Sequence, residues 1–539
     1  MNSLTLLIGS GIILLIAYIC YGGYLAKKWG VDDSVKTPAH TKYDGVDYVP
    51  AKAPVLLGHH FASIAGAGPI VGPIQAAIFG WIPVTLWVII GGIFFGGVQD
   101  FGSLFASIRH DGKSIGEIID ANMGKRGKKL FALFAWLTLV LVVAAFGNIV
   151  ANSFVSTPEA ATASILFILL AICFGIAVYR FKAPLWISTI IGVLLLFGCI
   201  YVGILFPISL PKNVWIILLL GYIFVASVTP VWILLQPRDY LNSYLLYTMM
   251  AGALLGVLIL RPGISLEGFT GFNVDGQFLF PFLFVTVACG AISGFHSLVG
   301  SGTSAKQLYK ESDAKRIGYG AMLIESLLAI VALITVAYLS KDKFAELLSN
   351  GGPVNVFSEG IANFMLSFGI PFKVGKSFTS LAISAFALTS LDTATRLARF
   401  IFQEFFDTTE EEQKTLDKKN PLVNMYVSTG ITVVVAGLLC AMGYEKIWPI
   451  FGSANQLLAA IALLAIAIWL KNTKRGNKEF ILPMIFMFVV TIAALILNIK
   501  ANIGVNFTLV VIAALLLILA LILIKEAITA LKNNSEKAN

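Results

Sequence analysis

Residues 54 to 80, PVLLGHHFASIAGAGPIVGPIQAAIFG, constrain the fold more than any other stretch of this chain. The stretch is long enough to cross a bilayer, for which about 20 apolar residues suffice, yet it contains two interior prolines, Pro69 and Pro73. Each proline lacks an N–H group, so the carbonyls of Ala65 and Pro69 lose their helical partners. In lipid, a broken helix is tolerated only where protein buries it or water reaches it. The sequence therefore predicts an interrupted transmembrane helix with a site at the interruption.

The composition assigns the chain to the integral membrane proteins. Of its 539 residues, 58% are hydrophobic and 12% are charged, whereas about a quarter of the residues of a soluble domain are charged. The five cysteines lie in apolar segments without paired spacing, which is typical of small core residues and predicts neither disulfides nor a metal framework. We explain the net charge of +9 by membrane topology, and we do not expect nucleic acid as a partner.

The apolar segments predict an all-α polytopic membrane protein with about fifteen transmembrane helices. An apolar run at 354–369 is too short to cross and is expected to be re-entrant or interfacial. Alternate threading places the N-terminus outside and the C-terminus in the cytoplasm, and most of the 38 lysines and arginines then lie on the cytoplasmic side, as the positive-inside rule requires. The predicted segments lie near 3–26, 55–79, 82–108, 129–154, 159–180, 185–207, 213–235, 239–260, 278–300, 315–340, 376–400, 421–442, 447–470, 478–499 and 504–530.

Two signals for an internal repeat point to different second segments. The sequences GHHFASIAGAG at 58–68 and GFHSLVGSG at 294–302 share a Ser-x-x-Gly-x-Gly pattern behind a histidine. Separately, Pro230 interrupts the segment 213–235 and leaves the carbonyl of Ala226 without a helical partner. Interrupted helices at corresponding positions of two halves are typical of transporters built from inverted repeats. We favour the proline signal, because a helix break has a physical cost that needs an explanation.

This interpretation divides the chain into three parts. Residues 1–54 form an N-terminal helix and a cytoplasmic loop, and residues 401–539 form C-terminal helices and a short cytoplasmic tail. The transporter core between them, 55–400, consists of two repeats at about 55–207 and 213–400.

Six longer blocks carry a resemblance to a known family. They resemble those of the carbon starvation protein A family and extend from residue 58 to about 460. Members of that family are bacterial inner-membrane secondary transporters for peptides or, with protons, for pyruvate. The family is grouped with the amino acid, polyamine and organocation transporters, so the resemblance implies a five-plus-five inverted-repeat core. The blocks read GHHFASIAGAGPIVGPIQAAIFGW, IFFGGVQDFGSLFASIRHDGKSIGEI, QPRDYLNSYLLY, CGAISGFHSLVGSGTSAKQL, LTSLDTATRLARF and WPIFGSANQLLAA.

The helix break itself predicts a carboxylate site. Pro69 suits the first turn of a second half-helix, where a missing N–H is no loss. The next free N–H groups would face the gap at the positive end of the helix dipole, and the glycines would let a ligand approach the backbone. The alternative is that these glycines serve only helix packing. The candidate substrate-binding residues are Ser63, Gly66, Ala67, Gly68, Pro69, Ile70, Val71, Gly72, Thr229 and Pro230.

Ionisable residues inside apolar segments are the candidates for ion coupling, because burying a charge is costly and is usually functional. Asp392 has Arg396 four residues later on the same helical face, so a structural ion pair and a coupling role are both open. Histidines titrate near neutrality and could carry a coupling proton. The candidates for ion or proton coupling are His59, His60, Asp100, His296, Ser297, Glu325 and Asp392.

We predict no metal site, because the adjacent His59 and His60 project about 100° apart on a helix and the chain has no HExxH or CxxC motif. Sodium is the rival to the proton as coupling ion. In the related fold, cations lie between the first broken helix and hydroxyls of the eighth core helix. Counting from 55–79, the eighth is 278–300. Its hydroxyl residues, on it or just after it, are Ser293, Ser297, Ser301 and Thr303.

The sequence thus predicts a secondary active transporter in the bacterial inner membrane. It would import a small carboxylate-bearing nutrient, pyruvate or a short peptide, by alternating access with protons. Its expected partners are the lipid bilayer and an anionic or zwitterionic solute, and no cofactor is expected. The alternative is a membrane-embedded sensor or channel without uphill transport. An enzyme is not predicted, because no nucleophile and base stand at a motif spacing.

Overall fold

A computed structural model describes residues 2–45, 48–230, 233–274, 276–349, 351–406 and 420–536. Helices α1 to α7 are Ser3–Trp29, Pro38–Thr41, Ala53–Ile64, Gly68–Ala76, Trp81–Gly91, Gly97–Ile108 and Ile115–Met123. Helices α8 to α14 are Lys125–Ser156, Pro158–Gly175, Leu185–Leu205, Lys212–Val228, Leu235–Leu260, Leu279–Thr286 and Gly294–Gly302. Helices α15 to α22 are Gly320–Ala337, Lys341–Ser349, Gly352–Leu366, Phe372–Phe406, Met425–Cys440, Tyr444–Asn472, Lys478–Asn502 and Phe507–Glu536.

Short irregular elements join or extend these helices. Three π-helical segments, which join α5 to α6, extend α9 and precede α15, are Gly92–Gly96, Ile176–Arg180 and Lys315–Tyr319. Three single turns of 3₁₀-helix are Ala77–Phe79, Ser304–Lys306 and Pro421–Val423. The two short strands, β1 (Asn273–Val274) and β2 (Gln277–Phe278), form an antiparallel pair.

The predicted all-α polytopic class is confirmed, whereas the count of fifteen transmembrane helices is not. In the described ranges, 11 helices are long and apolar enough to cross a membrane, and the bent pair α3 and α4 brings the number to 12. Of the other predicted segments, α11 and the helix Met425–Cys440 are too short by that criterion, and 278–300 is split into α13 and α14. The short run 354–369 forms α17, which has 15 residues.

Burial separates interior helices from peripheral ones. The apolar part of Lys446–Asn472 is 100% buried, and those of Lys315–Ala337 and Phe372–Phe406 are each 89% buried. By contrast, only 28% of Leu185–Leu205 and 33% of Ser3–Trp29 is buried. A helix that is apolar all round can face lipid without cost, so the second group is peripheral. The predicted end of the transporter core at residue 400 stays a prediction. The completely buried helix Lys446–Asn472 lies after that boundary.

The first predicted interruption is confirmed. Helix α3 ends at Ile64, and α4 begins at Gly68, with the two axes bent by 45°. Pro69 is the second residue of α4, where its missing N–H leaves no gap in the hydrogen-bond ladder. A second interruption separates α13 from α14 at residues 287–293. It lies inside the predicted segment 278–300.

The predicted interruption at Pro230 is wrong, because Pro230 follows the end of a helix. Helix α11 ends at Val228, and Thr229 is extended, with φ −77° and ψ 141°, as expected for a residue before proline. The carbonyl of Ala226 lacks a helical partner, as predicted, and accepts a hydrogen bond of 2.8 Å from the side chain of Arg396. The first copy of the Ser-x-x-Gly-x-Gly pattern spans the break at 65–67, whereas the second copy lies within the continuous helix α14. The inverted-repeat division therefore stays a prediction.

Candidate functional site

The break between α3 and α4 is closed by protein atoms. Helix α4 begins one residue before Pro69, and the carbonyl of Ala67 accepts hydrogen bonds from the N–H groups of Ile70, at 3.2 Å, and Val71, at 2.9 Å. The prediction that these N–H groups are free to bind a carboxylate is therefore wrong for this conformation. The reason is local, because Ala67 is itself in the helical region and turns its carbonyl towards the first turn.

The glycines of the break serve close packing. A Cβ atom on Gly68 would lie 2.5 Å from the Sγ atom of Cys289, and one on Gly66 would lie 2.5 Å from the Oγ atom of Ser390. Ser63 is buried, and its hydroxyl donates to the carbonyl of His59 at 2.9 Å. The packing alternative for the glycines is thus correct for this conformation, in which the second broken helix and α18 fill the gap.

A network of five buried or half-buried polar side chains lies beside the first broken helix. We call it the Arg238 network. Arg238 forms ion pairs with Asp392 and, at 3.0 Å, with Asp239. His59 Nδ1 lies 3.2 Å from Asp239, and Tyr222 donates to Asp392 at 2.7 Å. The network joins α3, α11, α12 and α18.

The Arg238 network shows which arginine Asp392 pairs with, whereas its role in coupling stays a prediction. Its carboxylate pairs with Arg238, whereas Arg396 on the same helix caps α11 by donating to the carbonyls of Ala226 and Thr229. Thr229 is half-buried and Pro230 is exposed. The two residues therefore lie at the end of α11 and not at a substrate site between the broken helices.

A second cluster lies at the other broken helix, and we call it the His296 triad. His296 Nδ1 is 3.0 Å from Asp100, and its Nε2 is 3.4 Å from Glu325. All three side chains are completely buried, on α6, α14 and α15. The three residues were predicted separately as ionisable residues in apolar segments, and the fold brings them together.

The two remaining predicted coupling residues have ordinary hydrogen bonds. His60 Nδ1 lies 2.7 Å from the hydroxyl of Ser304, and Ser297 donates to the carbonyl of Gly294 at 2.7 Å. The three histidines therefore lie in three different settings and do not form one metal site. In the described ranges, one set of side chains has the geometry to hold a metal ion. It consists of Cys289, His296 and Glu325, whose ligand atoms lie within 4.8 Å of one another.

Two cavities lie near opposite ends of α8. The larger, of about 660 Å³, is lined by Val71 of α4, by Asn152 near the end of α8, and by Lys212 and Lys446. The smaller, of about 280 Å³, lies near the start of α8, on the side of the basic loops, and is lined by side chains that include Lys306. A narrow pocket also lined by Lys306 extends from that side to His59.

Sequence reasoning missed Arg238, Asp239 and Tyr222. The block QPRDYLNSYLLY contained the first two, and α12 begins at Leu235 and includes both charges. The predicted segment 239–260 excluded Arg238, so a correct helix start would have identified it as a charge in an apolar helix. Asp239 lay at the first residue of that segment, where a charge is expected at the membrane surface. Asn455 was missed as well. Its side chain accepts from the N–H of Phe295 at 2.9 Å and caps the first turn of α14.

This fold and these buried charges define a multi-pass integral membrane protein, in whose interior charged side chains mark candidate functional positions. The chain belongs to the carbon starvation protein CstA family, whose family model, described as "Carbon starvation protein CstA", matches residues 2–350 and 345–494.

Several named proteins are similar to this chain over most of its length. Peptide transporter CstA of Bacillus subtilis (strain 168) is 32% identical and aligns with 91% of this chain and 89% of its own. Peptide transporter CstA of Escherichia coli (strain K12) is 32% identical over 92% of this chain and 80% of its own. Pyruvate/proton symporter BtsT of the same strain is 32% identical over 92% of this chain and 81% of its own.

Among solved structures, MhsT in complex with L-phenylalanine is 15% identical and has a TM-score of 0.49, covering 87% of this chain and 99% of that chain. At that TM-score the likeness assigns neither a repeat structure nor a substrate.

Proposed function

We propose that this protein is a secondary active transporter that imports a small carboxylate-bearing nutrient, pyruvate or a short peptide, across the bacterial inner membrane together with protons. The names of its relatives support transport of one of these solutes. The observation that carries the proposal is the Arg238 network, a set of buried charges that ties a broken helix to three neighbours.

The charge of the Arg238 network makes it suited to bind a proton. Asp239 and Asp392 bring two negative charges, and Arg238 brings one positive charge, so one negative charge is uncompensated while His59 is neutral. Buried charges without compensation are costly. Protonation of His59, whose Nε2 atom has no hydrogen-bond partner in the structure, would balance the network.

Proton binding there would be coupled to the packing of the helices. The network joins α3, α11, α12 and α18, so a change in its charge alters the interaction of the broken helix with all three neighbours. The narrow pocket from the basic side to His59 supports release of the proton towards the cytoplasm under the predicted threading. Alternating access would follow if the balanced network favours one packing and the unbalanced network another.

The larger cavity supports a small anionic solute. Its volume of about 660 Å³ is within the range of small-molecule sites, which is about 300–1,000 Å³. Lys212 and Lys446 line it, and positively charged walls raise the local concentration of anions. Val71 and Gln75 of the half-helix α4 also line it, so the solute would reach the broken helix from this side.

Sodium stays the alternative coupling ion. The predicted hydroxyls of Ser297, Ser301 and Thr303 each donate at 2.7 Å to a carbonyl of their own helix. Their oxygen lone pairs are still available to a cation, so the hydroxyl geometry is compatible with sodium. The Arg238 network favours the proton as coupling ion, because the positive charge of Arg238 beside the two carboxylates would repel a sodium ion there.

Uptake into proteoliposomes tests the proposal. Labelled pyruvate and a labelled dipeptide should be compared under an imposed pH gradient, each with and without sodium. We expect uphill uptake that an uncoupler abolishes and that does not require sodium. Pyruvate with one proton moves no net charge, whereas a zwitterionic peptide with one proton carries current, so the response to voltage distinguishes the two solutes.

Counterflow separates the carrier from the channel or sensor. Exchange that is accelerated by substrate on the far side is expected of a carrier. Passive flux without acceleration would identify a channel, and absence of flux for both solutes would contradict the transport proposal. The close packing of Gly68 against Cys289 supports the carrier, since a closed break must rearrange before a solute passes.

A further inference from the structure

The His296 triad differs from the Arg238 network because, among the described residues, no arginine or lysine pairs with its carboxylates. In the described part of the chain, the ion pairs of Asp100 and Glu325 are both with His296. Two carboxylates therefore face one imidazole at a position where no side chain is exposed to solvent. Such a cluster needs added positive charge to be stable.

The orientation of His296 shows where that charge belongs. A carboxylate only accepts hydrogen bonds, so Nδ1 of His296 donates to Asp100 and Nε2 of the neutral ring presents a lone pair. This lone pair faces Glu325, and neither Nε2 nor either carboxylate oxygen of Glu325 has a hydrogen-bond partner of ordinary geometry among the described residues. Either a proton or a metal ion between these two buried groups would satisfy both of them.

The separation of these acceptors fits two ligands of one metal ion. Nε2 of His296 and the nearest Glu325 oxygen are 3.4 Å apart, which is longer than a usual N–H···O bond of about 2.7–3.2 Å. Two ligands about 2.0 Å from one tetrahedral zinc ion lie about 3.3 Å apart. Cys289 adds a thiol whose Sγ atom is within 4.8 Å of both other ligand atoms.

We propose that Cys289, His296 and Glu325 bind a divalent transition-metal ion of the Zn²⁺ class, with Asp100 as the positioning residue for His296. Sulfur, imidazole and carboxylate ligands together suit zinc. A carboxylate that holds the other nitrogen of a metal-binding histidine is a recurrent arrangement. Gln99 in turn donates to Asp100 at 3.3 Å and to the carbonyl of Ser293 at 2.6 Å.

The ion would join three elements at the second interruption. Cys289 lies in the broken segment 287–293, His296 lies in the first turn of α14, and Glu325 lies on α15. Metal binding would therefore fix the break to a neighbouring helix and stabilise the folded protein. This consequence does not depend on the transported solute or on proton coupling.

Metal content of the purified protein tests the proposal directly. The full chain, purified without a histidine tag and without chelator, should contain about one zinc ion per chain. Addition of zinc after chelator treatment should raise the melting temperature. Replacement by Co²⁺ should give the near-ultraviolet absorption of a cobalt–thiolate bond, which reports on Cys289 without an activity assay.

The variants Cys289→Ser and Glu325→Gln should lose the bound ion and the zinc-dependent shift in melting temperature. Asp100→Asn keeps all three ligands, and we expect its zinc affinity to fall about 10–100-fold. The control is Cys440→Ser, a second buried cysteine outside this cluster, which should retain the ion and the cobalt–thiolate band.

Two results would overturn the proposal. One is wild-type protein without bound metal whose melting temperature and Co²⁺ spectrum do not respond to the ions. The triad would then hold protons in place of a metal ion. The other is a cobalt–thiolate band that persists in Cys289→Ser, which would assign the ion to another cysteine. If a ligand variant does not fold, Asp100→Asn and the wild-type titration still decide.

Discussion

At the scale of single residues, the two buried clusters differ in how their charge is balanced. Arg238 is the one arginine paired with the two carboxylates of its network, and His59 lies beside one of them. Asp100 and Glu325 have no such basic partner in the described ranges. We therefore expect substitutions in the Arg238 network to affect coupling and stability, and substitutions in the His296 triad to affect ion content.

Replacing His59 should separate coupling from solute movement. His59→Gln keeps a polar group beside Asp239 but cannot take up a proton, so uphill uptake driven by a pH gradient should be lost while counterflow continues. Both rates can be measured in the same proteoliposomes. His40→Gln, on the short helix α2, is the control and should keep both activities. Loss of counterflow in His59→Gln would mean that His59 has a role in binding or folding and not in coupling alone.

Replacing Arg238 should lower stability strongly. Arg238→Met leaves Asp392 and Asp239 buried without a cation, and loss of one partner of a buried ion pair costs about 3–5 kcal/mol. The expected result is a lower melting temperature in detergent, followed by intrinsic fluorescence. Adding Asp392→Asn should restore part of the loss, because it removes one unpaired charge. Arg180→Met, at an exposed position, should melt like the wild type. An unchanged melting temperature in Arg238→Met would show that the network does not stabilise the fold.

At the scale of elements, the two broken helices are in direct contact. Gly68 packs against the side chain of Cys289, and Gly72 packs against the backbone carbonyl of Thr286 at the end of α13. Helix α4, the second half of the first broken helix, is therefore in close contact with the second broken helix, and the gap that the prolines require is filled by protein. Opening a path for a solute requires these contacts to separate, so they are the contacts to test.

Adding one methyl group at Gly72 should disturb this contact. The Cβ atom of Gly72→Ala would lie 2.5 Å from the carbonyl oxygen of Thr286 and 3.2 Å from the Cα atom of Val287. Backbone atoms cannot move aside as a flexible side chain can, and overpacking costs about 1–3 kcal/mol. We expect a lower melting temperature and loss of uptake with normal membrane insertion.

The matched control is Gly9→Ala on α1, where an added Cβ atom has nothing within 4 Å. It should leave both melting temperature and uptake unchanged. Wild-type stability and transport in Gly72→Ala would show that the two broken helices do not need this close contact.

At the scale of the whole molecule, interior helices hold the charges and peripheral helices face the lipid. The apolar part of Lys446–Asn472 is completely buried, whereas only 33% of Phe507–Thr529 is buried. The large cavity is enclosed by α4, α8 and the segment before that interior helix. Its accessibility therefore depends on how the interior helices pack, which is the property that alternating access would change.

The lysines of the large cavity should act on solute capture. Lys212→Gln with Lys446→Gln should raise the KM for pyruvate and weaken its dependence on ionic strength, because electrostatic attraction is screened by salt. Initial uptake rates at low and high ionic strength measure both effects. Lys341→Gln, at an exposed position of α16 outside the lining of this cavity, is the control. A KM that is unchanged in the double variant would exclude the cavity as the capture site.

The sequence by itself determined the membrane class, the existence of the first interruption and the identity of several buried ionisable residues. These follow from local properties: apolar composition, the missing N–H of Pro69, and charges within apolar segments. Only the tertiary structure decided which charges meet. Asp100 and His296 are 196 residues apart in sequence, and Arg238 and Asp392 are 154 apart. It also decided that Pro230 ends a helix and that the glycines pack, because pairing and packing depend on distant helices that leave no mark in the local sequence.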